Sequence, residues 1–344
     1  MSRVILHAEL RASAVLHFCH HVNVQSFLRS SLVEKMVSME AWDLLCIIGL
    51  ATFTPEGQRI ALQFWQHIWR RELEQVTDNV DGFLQTMRVT GTCLSGGKCL
   101  SLLDRTSHWQ SHDWDFYCPH EGFDNFCLYV IDQLGGSTIE HDCVETETYH
   151  DAGFCERRRM RTCAGVFDVL RSRSSSALLP IPHFHSTILV NFISADTLCI
   201  AYPWALHARE GVIQTRPLDN TTRAAVDKYI ARGYRMLEST NLACDRNVEA
   251  ICRPRGHCAR NVRYFGDINC ITVNFGLASS SSAEIHQYAM APAFKWSVAW
   301  IWGGHQCSNR DCALKVDHCV HTILTTADSG LLAAYPVVAG HTGI

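Results

Sequence analysis

Apolar positions recur at three- and four-residue steps from Ser31 to Thr77, a spacing that predicts helix. Val33, Met36, Val37, Trp42, Leu45, Cys46 and Ile47 carry the first stretch. A second helix is expected after Thr54, which suits a cap, with Pro55 at the first position and Glu56 in the first turn. Ile60, Phe64, Trp65, Ile68 and Trp69 form its apolar stripe. Residues 1–30 mix apolar positions with His7, His17, His20 and His21 and read as a poorly tied extension.

The centre of the chain alternates short apolar runs with helical ones. Trp114 to Cys118 reads as a strand, and Phe123 to Leu134 as a helix closed by Gly135 and Gly136. Gly165 to Leu170 is a short apolar strand, and His185 to Ile193 fits either helix or strand. This β-α-β order argues for a sheet domain of the α/β or α+β class. Arg171 to Pro182 is a loop by composition, broken by Pro180 and Pro182. Thr221 to Tyr234 predicts an amphipathic helix capped by Asn220 or Thr221. Val226, Tyr229 and Ile230 form its inner face and Gly233 stops it. Ile271, Val273 and Phe275 alternate as a half-buried strand, and Gly276 to Ala283 reads as a flexible serine-rich loop.

Composition narrows the function classes. The chain has 344 residues, 47% hydrophobic and 19% charged, which suits a globular protein rather than a disordered one. Net charge is -4, and the densest basic cluster is only Arg157, Arg158, Arg159 and Arg161. Strong non-specific nucleic-acid binding is therefore not expected. No apolar stretch is long enough to span a bilayer, so no membrane partner is expected. Glu9 and Arg11 interrupt the N-terminal apolar run, against a signal peptide. The 17 cysteines are scattered and odd in number, which fits reduced thiols in a cytoplasmic or nuclear protein.

Three pieces carry candidate chemistry. Ser95-Gly96-Gly97 precedes a short helical pattern through Leu100, Leu102 and Leu103. Asp113 and Asp115 alternate with Trp114 and Phe116, so one strand face would hold two carboxylates and the other two aromatic anchors. Asp168, inside an apolar strand, would add a third carboxylate. Such a cluster is costly without cations, and Mg2+ answers it with a preference for oxygen ligands and nucleotide phosphates. Two ions on the order of 4 Å apart would clamp an in-line phosphoryl displacement. Gly96 and Gly97 would let phosphate approach the backbone at a helix N-terminus.

In these residues the chain resembles the nucleotidyltransferase superfamily, the fold of polymerase-β-like enzymes. The family pattern is an apolar residue, then Gly with Gly or Ser, a helix, Asp-x-Asp or Asp-x-Glu on a strand, and a third acid on a later strand. Phe184-His185-Ser186-Thr187, Asn191-Phe192-Ile193, Lys228-Tyr229 and Arg232-Gly233 extend the resemblance to the expanded nucleotidyltransferase-like proteins of mushroom-forming fungi. It covers about residues 35–315. Two departures stand out: 15 residues separate Gly97 from Asp113, and Gly97 stands where active members often carry serine.

The resemblance implies an α+β fold: a nucleotidyltransferase-like mixed sheet flanked by helices, with an N-terminal helical segment and an α+β C-terminal region. The expected divisions are 1–30, 31–83, 84–205 for the core, and 206–344. It implies catalysis and metal binding by Asp113, Asp115 and Asp168, nucleotide binding by Ser95, Gly96 and Gly97, a nucleoside triphosphate as partner and an acceptor of unspecified kind. Asp168 is the expected general base. The alternative is a catalytically inactive interaction or nucleotide-sensing module. Lys228 and Arg232, one turn apart, fit an exposed basic stripe better than a phosphate site, and Arg171 and Arg173 fit solvated positions. His305, Cys307, Cys312, His318, Cys319 and His321, with Cys252, His257 and Cys258 upstream, have poor spacing for zinc, and chance clustering is the better account. No nucleophile elbow or Walker loop occurs.

Overall fold

The alternation Asp113-Trp114-Asp115-Phe116 is realised as a strand in the middle of a mixed sheet. The computed structural model describes residues 55–104, 109–143, 153–213, 220–237, 263–267, 269–274, 298–301 and 321–324. The helical stretch from Val33, the Thr54 cap, the serine-rich loop and the Cys/His cluster, apart from the backbone of His321, lie outside the described residues.

The chain runs through α1 (Pro55–Leu73), α2 (Val80–Thr90), β1 (Cys93–Ser95), α3 (Gly96–Leu103), β2 (Asp113–Cys118) and α4 (Phe123–Leu134). The antiparallel strands β3 (Ser137–Cys143) and β4 (Phe154–Thr162) follow, then β5 (Gly165–Ser172). Next come β6 (Asn191–Ile193), β7 (Thr197–Ile200), α5 (Pro203–Ala208), β8 (Glu210–Val212), α6 (Asn220–Ala231) and β9 (Arg235–Leu237). Last are β10 (Arg263–Tyr264), β11 (Ile271–Asn274), β12 (Val298–Ile301) and β13 (His321–Leu324). Among the described residues the large sheet has eight strands in the order β11-β7-β6-β1-β2-β5-β4-β3. Within it β2 and β5 are parallel and the other pairings antiparallel. The chain is thus a mixed α+β fold with a large sheet flanked by helices.

Local chemistry explains the helix ends. Asn79 caps α2 by accepting from the Gly82 N–H at 3.0 Å, and Gly91 closes it in the left-handed conformation. Gly135 ends α4 the same way, with the Gly136 N–H donating to the Val130 carbonyl at 2.9 Å. The expected division between 83 and 84 falls inside α2, and that between 205 and 206 inside α5. His185 to Ile193 resolves into a 3-10 turn, Thr187–Leu189, and then β6. The loop after β5 is largely buried, with Arg173 and Ser175 at its surface. Ser172, Ser174 and Ser176 lie inside it, each hydroxyl accepting from a backbone N–H two residues on.

One face of the sheet is aromatic. Trp114 and Phe116 stack at 6.0 Å, and Phe116 meets Phe167 and Phe126 at 5.1 Å each. Phe83 of α2 closes on Phe116 at 5.8 Å, so α2 and α4 cover this face. The aromatic stripe of α1 joins the same core, where Phe64, Trp65, Ile68 and Trp69 are buried. Each such side chain contributes roughly 1.5–3 kcal/mol by leaving water. That leaves the opposite face of β2 and β5 to the polar residues.

On α6, Val226 and Tyr229 are buried as expected, but Ile230 is 52% exposed. The inward face turns through Tyr229 towards Arg232, and Ile230 falls on the flank. After β9 a buried Arg263–Asp267 ion pair organises the chain. Arg263 also donates to the Ala201 carbonyl at 2.7 Å, and the Trp300 indole donates to the Tyr202 hydroxyl at 2.8 Å. These bonds fasten β10 and β12 to the segment between β7 and α5. No helix among the described residues is long and apolar enough to cross a membrane.

Candidate functional site

Strand register sets the polar face. Ser95 pairs with Asp115, Asp115 with Asp168, Asp168 with Arg159, and Arg159 with Glu140. One lateral row therefore crosses five strands as Ser-Asp-Asp-Arg-Glu. Asp113 lies two residues from Asp115 on β2, on the same face. Trp114 and Phe116 point to the other face and are buried, which anchors β2. The structure thus brings Asp113, Asp115 and Asp168 to one side of the sheet. Asp168 is 8% exposed, while the other two are half-buried.

The glycine turn sits against these acids. Gly96 has φ +66°, and a Cβ there would lie 2.2 Å from Asp115 Oδ2. Only a residue without a side chain lets the carboxylate come so close. The Gly97 N–H donates to the Asp115 carboxylate. Burial pushes Asp115 up to about 7; Asp168 and then Asp113 push the same way, against the Gly97 N–H and Lys228. At neutral pH Asp115 therefore shares its position with a proton. Ser95 takes another part than expected. Its hydroxyl is fully buried and donates to the Asn191 carbonyl at 2.5 Å, fixing β1 against β6. Of the three expected nucleotide-binding residues, Gly96 and Gly97 line the acids and Ser95 ties β1 to β6.

Several residues at this site escaped the sequence pattern. A Cβ on Gly97 would lie 3.2 Å from Ser111 Oγ, 3.2 Å from the Tyr229 hydroxyl and 3.8 Å from Arg232 Nη1. The start of α3 is therefore walled by the segment before β2 and by the end of α6. Arg232 lies 4.1 Å over the Trp109 ring and 5.1 Å over Tyr229. It is no solvated stripe, and its Nη1 is buried. Among the described residues the buried Trp109 Nε1 and His185 Nε2 meet no hydrogen-bond partner, and His185 packs 5.6 Å from Tyr229. Burial, followed by the charge of Lys228, lowers His185 to about 4, so it is neutral at pH 7. Of the basic pair that amphipathic spacing assigns to solvent, Lys228 is exposed and Arg232 is packed against Trp109.

Asp168 is not free. Arg157 Nε stands 3.1 Å and Arg159 Nε 3.3 Å from Asp168 Oδ1. Period-2 spacing on β4 carries that signal, because Arg157, Arg159 and Arg161 must share a face. Arg158 and Arg171 lie on the other side. Arg171 pairs with Asp124 at 2.5 Å and Glu156 at 2.9 Å and stacks 4.4 Å over Phe123. Neither is a solvated position nor a neighbour of the acids. Arg173 Nε donates to the Phe154 carbonyl at 3.0 Å.

A buried bond set fixes the far end of α3. Asp104 accepts from Arg209 at 2.8 Å and from the Tyr234 hydroxyl at 2.6 Å. Lys98, in the first turn of α3, is buried, pairs with Glu72 of α1 and sits 4.5 Å over Trp114. Among the described residues no three His, Cys, Asp or Glu side chains are gathered as a preformed metal cage. Asp113, Asp115 and Asp168 nonetheless offer hard oxygen donors on one face. Asp115, raised by burial and then by Asp168 and Asp113, carries like charge at close quarters, which a divalent cation such as Mg2+ would offset. No protein-family model, curated protein or solved structure matches the chain.

Proposed function

We propose that the chain is a metal-dependent nucleotidyltransferase-like protein that moves a nucleotidyl group from a nucleoside triphosphate to an acceptor hydroxyl or phosphate. The observation that carries this reading is the register of Asp115 with Asp168 on parallel strands, beside a left-handed Gly96 that a Cβ would drive into Asp115. Asp113, Asp115 and Asp168 would hold Mg2+. When bound, that ion supplies charge neutralisation for the phosphoryl group and its leaving oxygen.

The chain's own residues do the rest. The α3 N-terminus with Gly96 and Gly97 receives the triphosphate, and Arg232 and Lys228 add positive charge from α6. The acceptor oxygen bonds to the α-phosphorus as the bond from that phosphorus to the β-phosphate oxygen breaks. Pyrophosphate leaves, and a hydroxyl acceptor gives its proton to Asp168. Among the described residues, neutral His185 and the Trp109 indole keep a ring nitrogen without a hydrogen-bond partner beside the same wall.

A second reading, a nucleotide-sensing module without catalysis, draws support from the two guanidiniums on Asp168. Isothermal titration with Mg2+ and a panel of nucleotides tests the first. Binding is expected, and Asp113→Ala and Asp115→Ala should abolish it. No binding of any nucleotide would end the proposal. Binding with no transfer to any acceptor in a radiolabelled-nucleotide screen would favour the sensing module.

A further inference from the structure

Asp168 Oδ1 is met by two guanidiniums from the neighbouring strand, Arg157 and Arg159. Both are shared with the edge strand β3. Arg157 also reaches Glu140 at 3.3 Å and Asp142 at 3.5 Å, and Arg159 reaches Glu140 at 3.5 Å. Each guanidinium is about two-thirds buried, at 30% and 34% exposure, so solvent screens it only in part. Arg161 lies on the same face in the row of Asp113, one strand beyond Val166. It makes no ion pair among the described residues.

Carboxylates in adjacent positions on adjacent strands repel one another, and something must offset that cost while the protein stands alone. On the Asp115 flank little does. On the Asp168 flank the offset comes from β4. A divalent cation brought to Asp168 meets two positive groups already seated on one of its oxygens.

We propose that Arg157 and Arg159 are the resident counter-charge of the acid group and that a divalent cation binding there competes with them. The inference rests on the magnesium-dependent reading above. It gives two arginines a positioning role at the site. It also implies an order of assembly. Cation affinity of the free chain is held low, and the cation enters with the triphosphate, whose negative charge answers both it and the arginines.

The test is titration of the full chain with Mn2+, with free Mn2+ read by electron paramagnetic resonance. Wild type is compared with Arg157→Gln, Arg159→Gln and Arg161→Gln, and circular dichroism establishes that each is folded. Arg157→Gln and Arg159→Gln should each tighten Mn2+ binding by at least about fivefold, the lower end of a typical coupling between sites. Arg161→Gln removes the same charge from the same face without an ion pair and should change affinity by no more than about twofold, as exposed charges do. Arg157→Lys and Arg159→Lys, which keep the charge, should stay near wild type. Equal tightening in all three glutamine variants would overturn the proposal in favour of diffuse charge. Unchanged or weaker binding in the Arg157 and Arg159 variants would overturn it too. If wild type shows no Mn2+ binding that Asp115→Asn removes, the metal-dependent reading itself fails, and this inference with it. Should Arg157→Gln not fold, Arg159→Gln decides alone.

Discussion

Asp115 and Asp168 sit opposite each other on β2 and β5, joined by register in the one parallel pairing of the large sheet among the described residues. In a parallel pair, residues in register point to the same side, so the carboxylates cannot avoid each other by alternation. Repulsion is built into the backbone, and after burial it is the next cause of the raised proton affinity of Asp115.

That strain has a pH signature. Asp115 titrates near 7 in the folded chain and near 3.9 unfolded, so folding holds a proton that the unfolded state releases. Ionisation therefore costs stability as pH rises from about 4 to 7, and the cost is complete above that. Asp115→Asn should be more stable than wild type by roughly 1–3 kcal/mol at pH 8, after allowance for solvent access. The gap should shrink steadily towards pH 4. Urea unfolding across that range, without divalent cations, measures it. A gap that does not change with pH would remove Asp115 as its source.

Gly96 should tolerate no side chain. Gly96→Ala must adopt a left-handed conformation and displace the Asp115 carboxylate. A loss of about 1–3 kcal/mol in thermal or urea unfolding is expected. Triphosphate binding should weaken with it. Gly135→Ala, also left-handed but with open space around it, is the control that should lose stability and keep nucleotide binding.

Arg232 links α6 to the glycine turn. On the proposed function, Arg232→Ala should weaken triphosphate binding by about ten- to hundredfold, the range of a charge-assisted hydrogen bond. Nucleoside without phosphate should bind both proteins alike. Equal affinity of wild type and variant for the triphosphate would take Arg232 out of the site.

Asp104 tests the brace at the far end of α3. Asp104→Ala leaves Arg209 and the Tyr234 hydroxyl without their shared acceptor. A loss of about 1.5–3 kcal/mol is expected in urea unfolding. Tyr234→Phe removes only one donor and should cost less, about 0.5–1.5 kcal/mol.

The parts of this fold that were legible in sequence are those where local chemistry decides. The alternation of Asp113 to Phe116 gave β2 its two faces, and Gly135 marked the end of α4. The short helix after Ser95-Gly96-Gly97 is where the apolar spacing put it. What stayed hidden depends on residues distant along the chain. Nothing local tells Ser95 that the Asn191 carbonyl lies on the next strand, or tells Arg232 that Trp109 and Gly97 lie beside it. Spacing within β4 puts Arg157 and Arg159 on one face, but their ion pairs with Asp168 depend on the β4–β5 register, which neither strand contains by itself. Spacing puts Ile230 inward because a helical stripe has no sharp border, whereas in the fold its neighbour Tyr229 takes the space.

The pair between Glu72 and Lys98 carries a last consequence. It joins the end of α1 to the first turn of α3, one residue after Gly97, in a setting where neither side chain is well hydrated. Shortening the protein from its start to beyond Glu72 would not merely trim an appendage. It would strand an ammonium group next to the glycine turn without its carboxylate, and Lys98 would have to swing outward, taking the mouth of the turn with it.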